Sequence, residues 1–208
     1  MKISYNWLCE ILPGLEKITA IELADKLSLS GLEVDSVTDL SAKFKGIVVG
    51  KVVSKEKHPD ADKLSLCQVS TGKEQFQVVC GAANVAKDKL FPFATLGTTM
   101  PAGLVIKTIK LRGVESSGML CSAKELELSE EAEGLLELSH ELVVGENIAA
   151  ALGLNDVIID IDITPNRGDA LSHWGVACDV AALLGLRVDF TPVAPKSIDY
   201  KSVKPSIE

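Results

Sequence analysis

The sequence predicts an α+β, multidomain chain: a five-stranded β-barrel inserted into a small, discontinuous helix-rich domain. Three observations lead there. Residues 1–40 read as helix, helix, strand, and residues 151–190 return to that style with a strand, a turn and an apolar helix. Between them, from about Ser41, short β-rich runs replace helix-length patterns. Each outer segment is too small to fold alone, so the two are expected to complete one compact unit across the insertion. A barrel whose ends lie close together adds little chain entropy at such a point.

Each element has a local cause. Ser4 can cap a short helix that stops at Pro13–Gly14. Thr19 followed by Glu22 is a capping box, in which each side chain satisfies a free amide at the helix start. Ile21, Leu23 and Leu27 supply the apolar face and Gly31 the stop. "GLEVDSV" alternates apolar and polar residues, as a half-buried strand does. The runs "GIVVGKVVSKEKH", "LSLCQVS", "EQFQVVCGA", "LFPFATLG" and "LVIKTIKLRG" are five β-rich stretches, and "STGKE" is a hairpin signal. Five short strands in about 70 residues fit a small closed barrel, for which the OB-fold is the leading candidate. The barrel region is expected at 41–150. Within it "SAKELELSEEAEGLLELS" is acidic and helix-prone, with a break at Gly134. In the returning segment Asp169 is placed to cap the last helix. His173, Ala177, Val180, Ala181 and Leu184 mark one helical face, and Gly185 stops it. Residues 191–208, rich in Pro, Ser and Lys, read as a linker toward a further domain.

Composition narrows the function. Of 208 residues 47% are apolar and 24% charged, which is globular rather than disordered. Aromatics are only 4%, so the core must rest on Leu, Val, Ile and Ala. No apolar run approaches the roughly 20 residues that span a bilayer. The N-terminus has no signal-peptide pattern, so no membrane association is expected. Five cysteines, at 9, 67, 80, 121 and 178, form no CxxC pair. An odd, scattered set points to reduced thiols in the cytoplasm. The net charge of −8 hides a pattern. Residues 43–112 hold 12 Lys/Arg against 5 Asp/Glu, whereas residues 115–146 hold one lysine against nine glutamates. Local sign, not the total, decides whether a phosphate backbone can dock.

"HPDADKLSLCQVSTG" poses a metal question. His58, Asp60 and Asp62 alternate along a proline turn, and Cys67 follows. Zinc needs three or four converging ligands, and no second His or Cys cluster completes the set. Calcium wants more oxygens and a loop glycine. Turn chemistry accounts for the same letters: Pro59 fixes the turn and an aspartate bonds nearby amides. No metal site is expected. Cys67 and Cys80 fall in apolar strand runs and read as packing. "CGAANVA" lacks phosphate-loop spacing, and no Cys–His–Asn arrangement, Walker loop or G-x-S-x-G occurs. Lys51, Lys55, Lys57, Lys63, Lys107, Lys110 and Arg112 fall on barrel strands or their ends and are the candidate RNA-binding residues. Stacking aromatics are few: Phe76, Phe91 and Phe93, with core packing expected for at least one of the last two. Phosphate and shape contacts would therefore outweigh base stacking, as suits structured RNA.

"HPDADKLSLCQVSTG", "QVVCGAANV" and "KTIKLRGVESSGMLCSAKELEL" resemble, in order and spacing, the tRNA-binding domain shared by several aminoacyl-tRNA synthetases and by free-standing tRNA-binding proteins. "MKISYNWLCEILPG" and "DITPNRGDALSHWGVACDVAALLG" resemble the flanks of that domain in beta chains of bacterial phenylalanine–tRNA ligases. The resemblance implies an N-terminal, non-catalytic part of a longer chain, with the first and last segments joined in a discontinuous domain. It implies tRNA and an alpha subunit as partners, in an assembly of two alpha and two beta chains. Aminoacylation, with its ATP and magnesium, would belong to the whole enzyme. The alternatives are a free-standing tRNA-binding or chaperone module, and a protein-interaction domain without RNA contact. "TPNRGD" speaks for the first reading, since a free-standing relative needs only the barrel.

Overall fold

The structure, a computed structural model, describes residues 1–130 and 134–188. The linker expected at 191–208 lies outside the described residues. In chain order β1 (Lys2–Ser4) runs directly into α1 (Tyr5–Ile11), whose first turn is capped by Ser4. Its Oγ accepts the Trp7 N–H at 3.0 Å. A single 3-10 turn at Leu15–Lys17 precedes α2 (Ala20–Leu29). The capping box is present: Glu22 N–H donates to Thr19 Oγ1 at 3.2 Å, and Thr19 N–H donates to the Glu22 carboxylate at 2.8 Å. Hydrogen bonds from the Thr19 backbone and hydroxyl hold the Glu22 carboxyl below its usual range. The buried face of α2 is Leu23, Ala24 and Leu27, whereas Ile21 points to solvent.

β2 (Val34–Asp39) is followed by the strands β3 (Ile47–Lys57), β4 (Ser65–Ser70), β5 (Gln75–Cys80) and β6 (Leu90–Ala94). Then come β7 (Ile109–Leu111), β8 (Val114–Ser116) and β9 (Met119–Leu120). The short α3 (Ile148–Ala151), β10 (Val157–Ile161) and α4 (His173–Leu184) complete the order. Two compact units result. One holds residues 1–37 and, of the described chain, 159–188; the other holds 38–158.

In the first unit β1, β10 and β2 form a three-stranded sheet with β10 central. The cap of α4 differs from the expectation. Ser172, not Asp169, caps it, with Gly175 N–H donating to Ser172 Oγ at 3.0 Å. Asp169 is drawn into an ion pair instead: Arg167 Nη2 reaches its Oδ2 at 2.8 Å and also pairs with Asp179. Residues Val176, Ala177, Val180 and Ala181 are the buried face, and Gly185, in the left-handed region, ends the helix. His173 is half-buried at the helix start. It accepts the Ser4 N–H at 2.9 Å and stacks on Trp7, with ring centroids 4.0 Å apart.

The second unit is a nearly closed antiparallel barrel in the order β5-β4-β3-β6-β9. β5 meets the β8–β9 segment where Ser117 N–H donates to Gln77 O at 2.8 Å and Val79 N–H to Ser116 Oγ at 3.1 Å. β6 is buried on both faces, which explains the unbroken apolar run "LFPFA". Phe91 and Phe93 face one core with Val52, Cys67, Val69 and Val78. Ile47, Val49, Leu90 and Ala94 face another with Phe44, Met100, Ile106 and Ile148. Gly50 lets β3 lie against the first core: a Cβ there would stand 2.7 Å from Phe93 Cβ and 2.8 Å from Val69 Cγ1.

Two strand and helix expectations are corrected. The fifth barrel strand is Met119–Leu120, paired with β6, not "LVIKTIKLRG". Only residues 109–111 of that run are extended, and they pair with β8 as a separate two-stranded ribbon. The ribbon turns at Arg112 and Gly113, both at positive φ (49° and 84°), as a two-residue hairpin turn requires. The acidic stretch forms no α-helix among the described residues. Ser122 and Glu125 cap one another, but Glu127 takes φ 54° and ends the coil after one turn.

Candidate nucleic-acid interface

The β3–β4 connection is a tightened hairpin. His58 N–H donates to Leu64 O at 3.1 Å, and Leu64 N–H to Ala61 O at 3.1 Å. Pro59 and Asp60 form its exposed tip. His58 is 2% exposed and is the only buried side chain among the described Asp, Glu, Lys, Arg and His residues. Its Nδ1 accepts the Asp60 N–H at 3.1 Å, and its Nε2 lies 3.2 Å from Leu111 O. An accepting Nδ1 places the proton on Nε2, which donates to Leu111. Asp62 pairs with Lys57 at 2.6 Å. Among the described residues no three His, Cys, Asp or Glu side chains gather as a metal would require.

The histidine bond ties the loop to the ribbon. Leu111 lies between Lys110 and Arg112, and Leu64, hydrogen-bonded to the His58 backbone, follows Lys63. In β7 Leu111 is half-buried, and Lys110 is exposed opposite Glu115. Arg112 sits at the turn tip. The structure therefore brings Lys57, Lys63, Lys110 and Arg112 to one region.

The other candidates divide differently. Lys51 pairs with Asp88 at 3.0 Å and holds that carboxyl below its usual range. Lys55 Nζ donates to Val85 O at 2.8 Å. Lys107 is exposed in the coil before β7. Lys63, Lys107, Lys110 and Arg112 are thus exposed and form no ion pair among the described residues. Phe91 and Phe93 are fully buried, and Phe76, partly buried, packs on Phe93 with centroids 5.3 Å apart.

Two groups have roles that residue types alone did not announce. Asn84 of "CGAANV" acts as a backbone surrogate: its Nδ2 donates to Leu135 O at 2.9 Å and its Oδ1 accepts the Leu135 N–H at 3.0 Å. Gln77 holds the ribbon from β5, its Nε2 donating to Glu115 O at 2.9 Å. The buried cysteines are inert by environment. Burial pushes the Cys67 thiol up to about 11 and Cys121 up to about 12, and raises Cys80 as well.

Residues 47–147 match the family described as "Putative tRNA binding domain". The chain is 50% identical over 205 residues to a phenylalanine–tRNA ligase beta subunit of Pseudomonas savastanoi pv. phaseolicola, a match covering 99% of this chain and 26% of the relative. It is 49% identical over 183 residues to the corresponding subunit of Hahella chejuensis, covering 88% of this chain and 23% of the relative. Among solved structures, a MetRS related protein from Pyrococcus horikoshii aligns with a TM-score of 0.37 at 29% identity, over 48% of this chain and 85% of that one. The chain spans about a quarter of the length of the curated relatives it matches. It belongs to the family of phenylalanine–tRNA ligase beta subunits and carries that family's tRNA-binding domain.

Proposed function

We propose that this chain is a non-catalytic part of a cytoplasmic phenylalanine–tRNA ligase, and that its barrel contacts tRNA through the β3–β4 loop and the β7–β8 ribbon. The observation that carries the reading is the group Lys63, Lys107, Lys110 and Arg112, exposed and without ion pairs among the described residues. Such cations release condensed counterions when they meet phosphates. Lys51, Lys55 and Lys57 are already engaged within the protein and take a lesser part. With Phe91 and Phe93 buried and Phe76 packed on Phe93, the contact is mainly to backbone and shape.

The reading places the chain beside an alpha subunit in an assembly of two alpha and two beta chains. It assigns ATP and magnesium to the rest of that enzyme rather than to these residues. The test is the affinity for a tRNA transcript across a salt series. Four phosphate contacts give a log–log slope of about −3 to −4. Lys110→Ala should make it shallower by about 1. No detectable binding at low salt would exclude the reading. It would leave the second one, a protein contact, which Leu104, Val105 and Ile109 favour, since these apolar side chains are 57%, 43% and 50% exposed just before the ribbon and on it.

A further inference from the structure

We propose that His58 is a positioning residue: it locks the β7–β8 ribbon to the β3–β4 loop, so that Lys63, Lys110 and Arg112 meet an RNA backbone as one surface. The ligand half of this inference rests on the function proposed above; the mechanical half rests on geometry alone.

The ribbon needs an anchor. Its two strands pair only with each other, and an isolated two-stranded hairpin is marginal in water. On β8 the anchors are Gln77, bonded to Glu115 O at 2.9 Å, and Ser116 Oγ, which accepts from Val79 N–H at 3.1 Å. On β7 the anchor is His58, bonded to Leu111 O at 3.2 Å, directly before the turn that carries Arg112. Holding both strands fixes where the turn points.

His58 is suited to this and to little else. Its ring is buried, and both nitrogens are spent inside the protein. The Asp60 N–H fills Nδ1, so Nε2 can only be the donor, aimed at a carbonyl 53 residues away in sequence. One side chain thus closes its own loop and clamps a distant ribbon. Fixing cations before binding lowers the ordering cost of forming a multi-point phosphate contact.

Two variants separate the two bonds. His58→Asn keeps an acceptor for the Asp60 N–H, as an Asn-Pro-Asp turn does, but is too short to reach Leu111. His58→Gln keeps a donor at the reach of Nε2. In His58→Asn, amide exchange over residues 111–116 should quicken by about threefold to tenfold, while loop residues 60–64 stay unchanged. Affinity for a tRNA transcript at low salt should fall by about threefold to tenfold, with a shallower salt slope. Lys110→Ala should then cost less in the His58→Asn background than in the unsubstituted chain. His58→Gln should restore most of both losses. A partly unfolded variant would change the binding-competent fraction, not the slope. Unchanged ribbon exchange in His58→Asn, with normal tRNA binding by the unsubstituted chain, overturns the positioning role. An undiminished Lys110→Ala loss in that background overturns it too. Absence of tRNA binding by the unsubstituted chain overturns the RNA reading and this use of His58 together.

Discussion

At the scale of residues, burial and hydrogen bonding decide which ligand-like side chains are available for chemistry. Cys67 and Cys121 have no exposed surface, and their thiols ionise at about 11 and 12. At neutral pH almost none is thiolate. Cys178, exposed on α4, should react with a thiol reagent within minutes, while Cys67, Cys80 and Cys121 should stay protected until denaturant is added. Rapid labelling of all five would contradict the buried assignment. The sign of the pH effect follows. The folded-state pKa values lie above the ordinary 9.0, so the unfolded thiols ionise first as pH rises. Stability from these groups should be level below about pH 9 and fall toward pH 11–12, measured as the denaturant midpoint. His58 was legible as turn chemistry because a His-Pro-Asp sequence has that local use. Its bond to Leu111 was not legible, because no local pattern pairs positions 53 apart.

At the scale of elements, the sequence was readable where the causes are short-range. The Ser4 cap, the Thr19–Glu22 box, the 71–74 hairpin and the Gly185 stop all formed as expected. Thr19→Ala removes one half of the box and should cost about 1 kcal/mol in thermal or denaturant unfolding. The α4 cap was misread because Asp169 and Ser172 are both good caps, and Asp169 instead pairs with Arg167, whose guanidinium Asp179, twelve residues on, also holds. "LVIKTIKLRG" has strand composition throughout, yet Ile109 is half exposed and the barrel takes Met119–Leu120 instead. Composition does not report which strand is a neighbour. Gly50 is the sharpest element-level constraint. Gly50→Ala places a methyl against Phe93 and Val69 and should destabilise the barrel by about 1–3 kcal/mol. A neutral melting temperature would mean that β3 and β6 part more easily than their packing implies.

At the scale of the whole molecule, charge segregation and three linked motifs pointed to the barrel and its ligand class. The basic stretch does not act as a uniform field. Lys51, Lys57 and Lys89 are paired with Asp88, Asp62 and Glu137, whereas Lys63, Lys107, Lys110 and Arg112, on the loop, the ribbon and the coil before it, are among the cations left without an ion pair among the described residues. That sorting is tertiary, so seven candidates could be named from sequence but not ranked. No helix among the described residues is long and apolar enough to cross a membrane. The central claim is that loop and ribbon form one tRNA-contact surface. Backbone NMR shifts of the 208-residue chain, followed while a tRNA transcript is added at low salt, test it most directly. We expect the largest changes together at Lys63, Lys110 and Arg112, saturating with one affinity and vanishing at high salt. Changes confined to residues 1–37 and 159–188, or none at saturating tRNA, would contradict it.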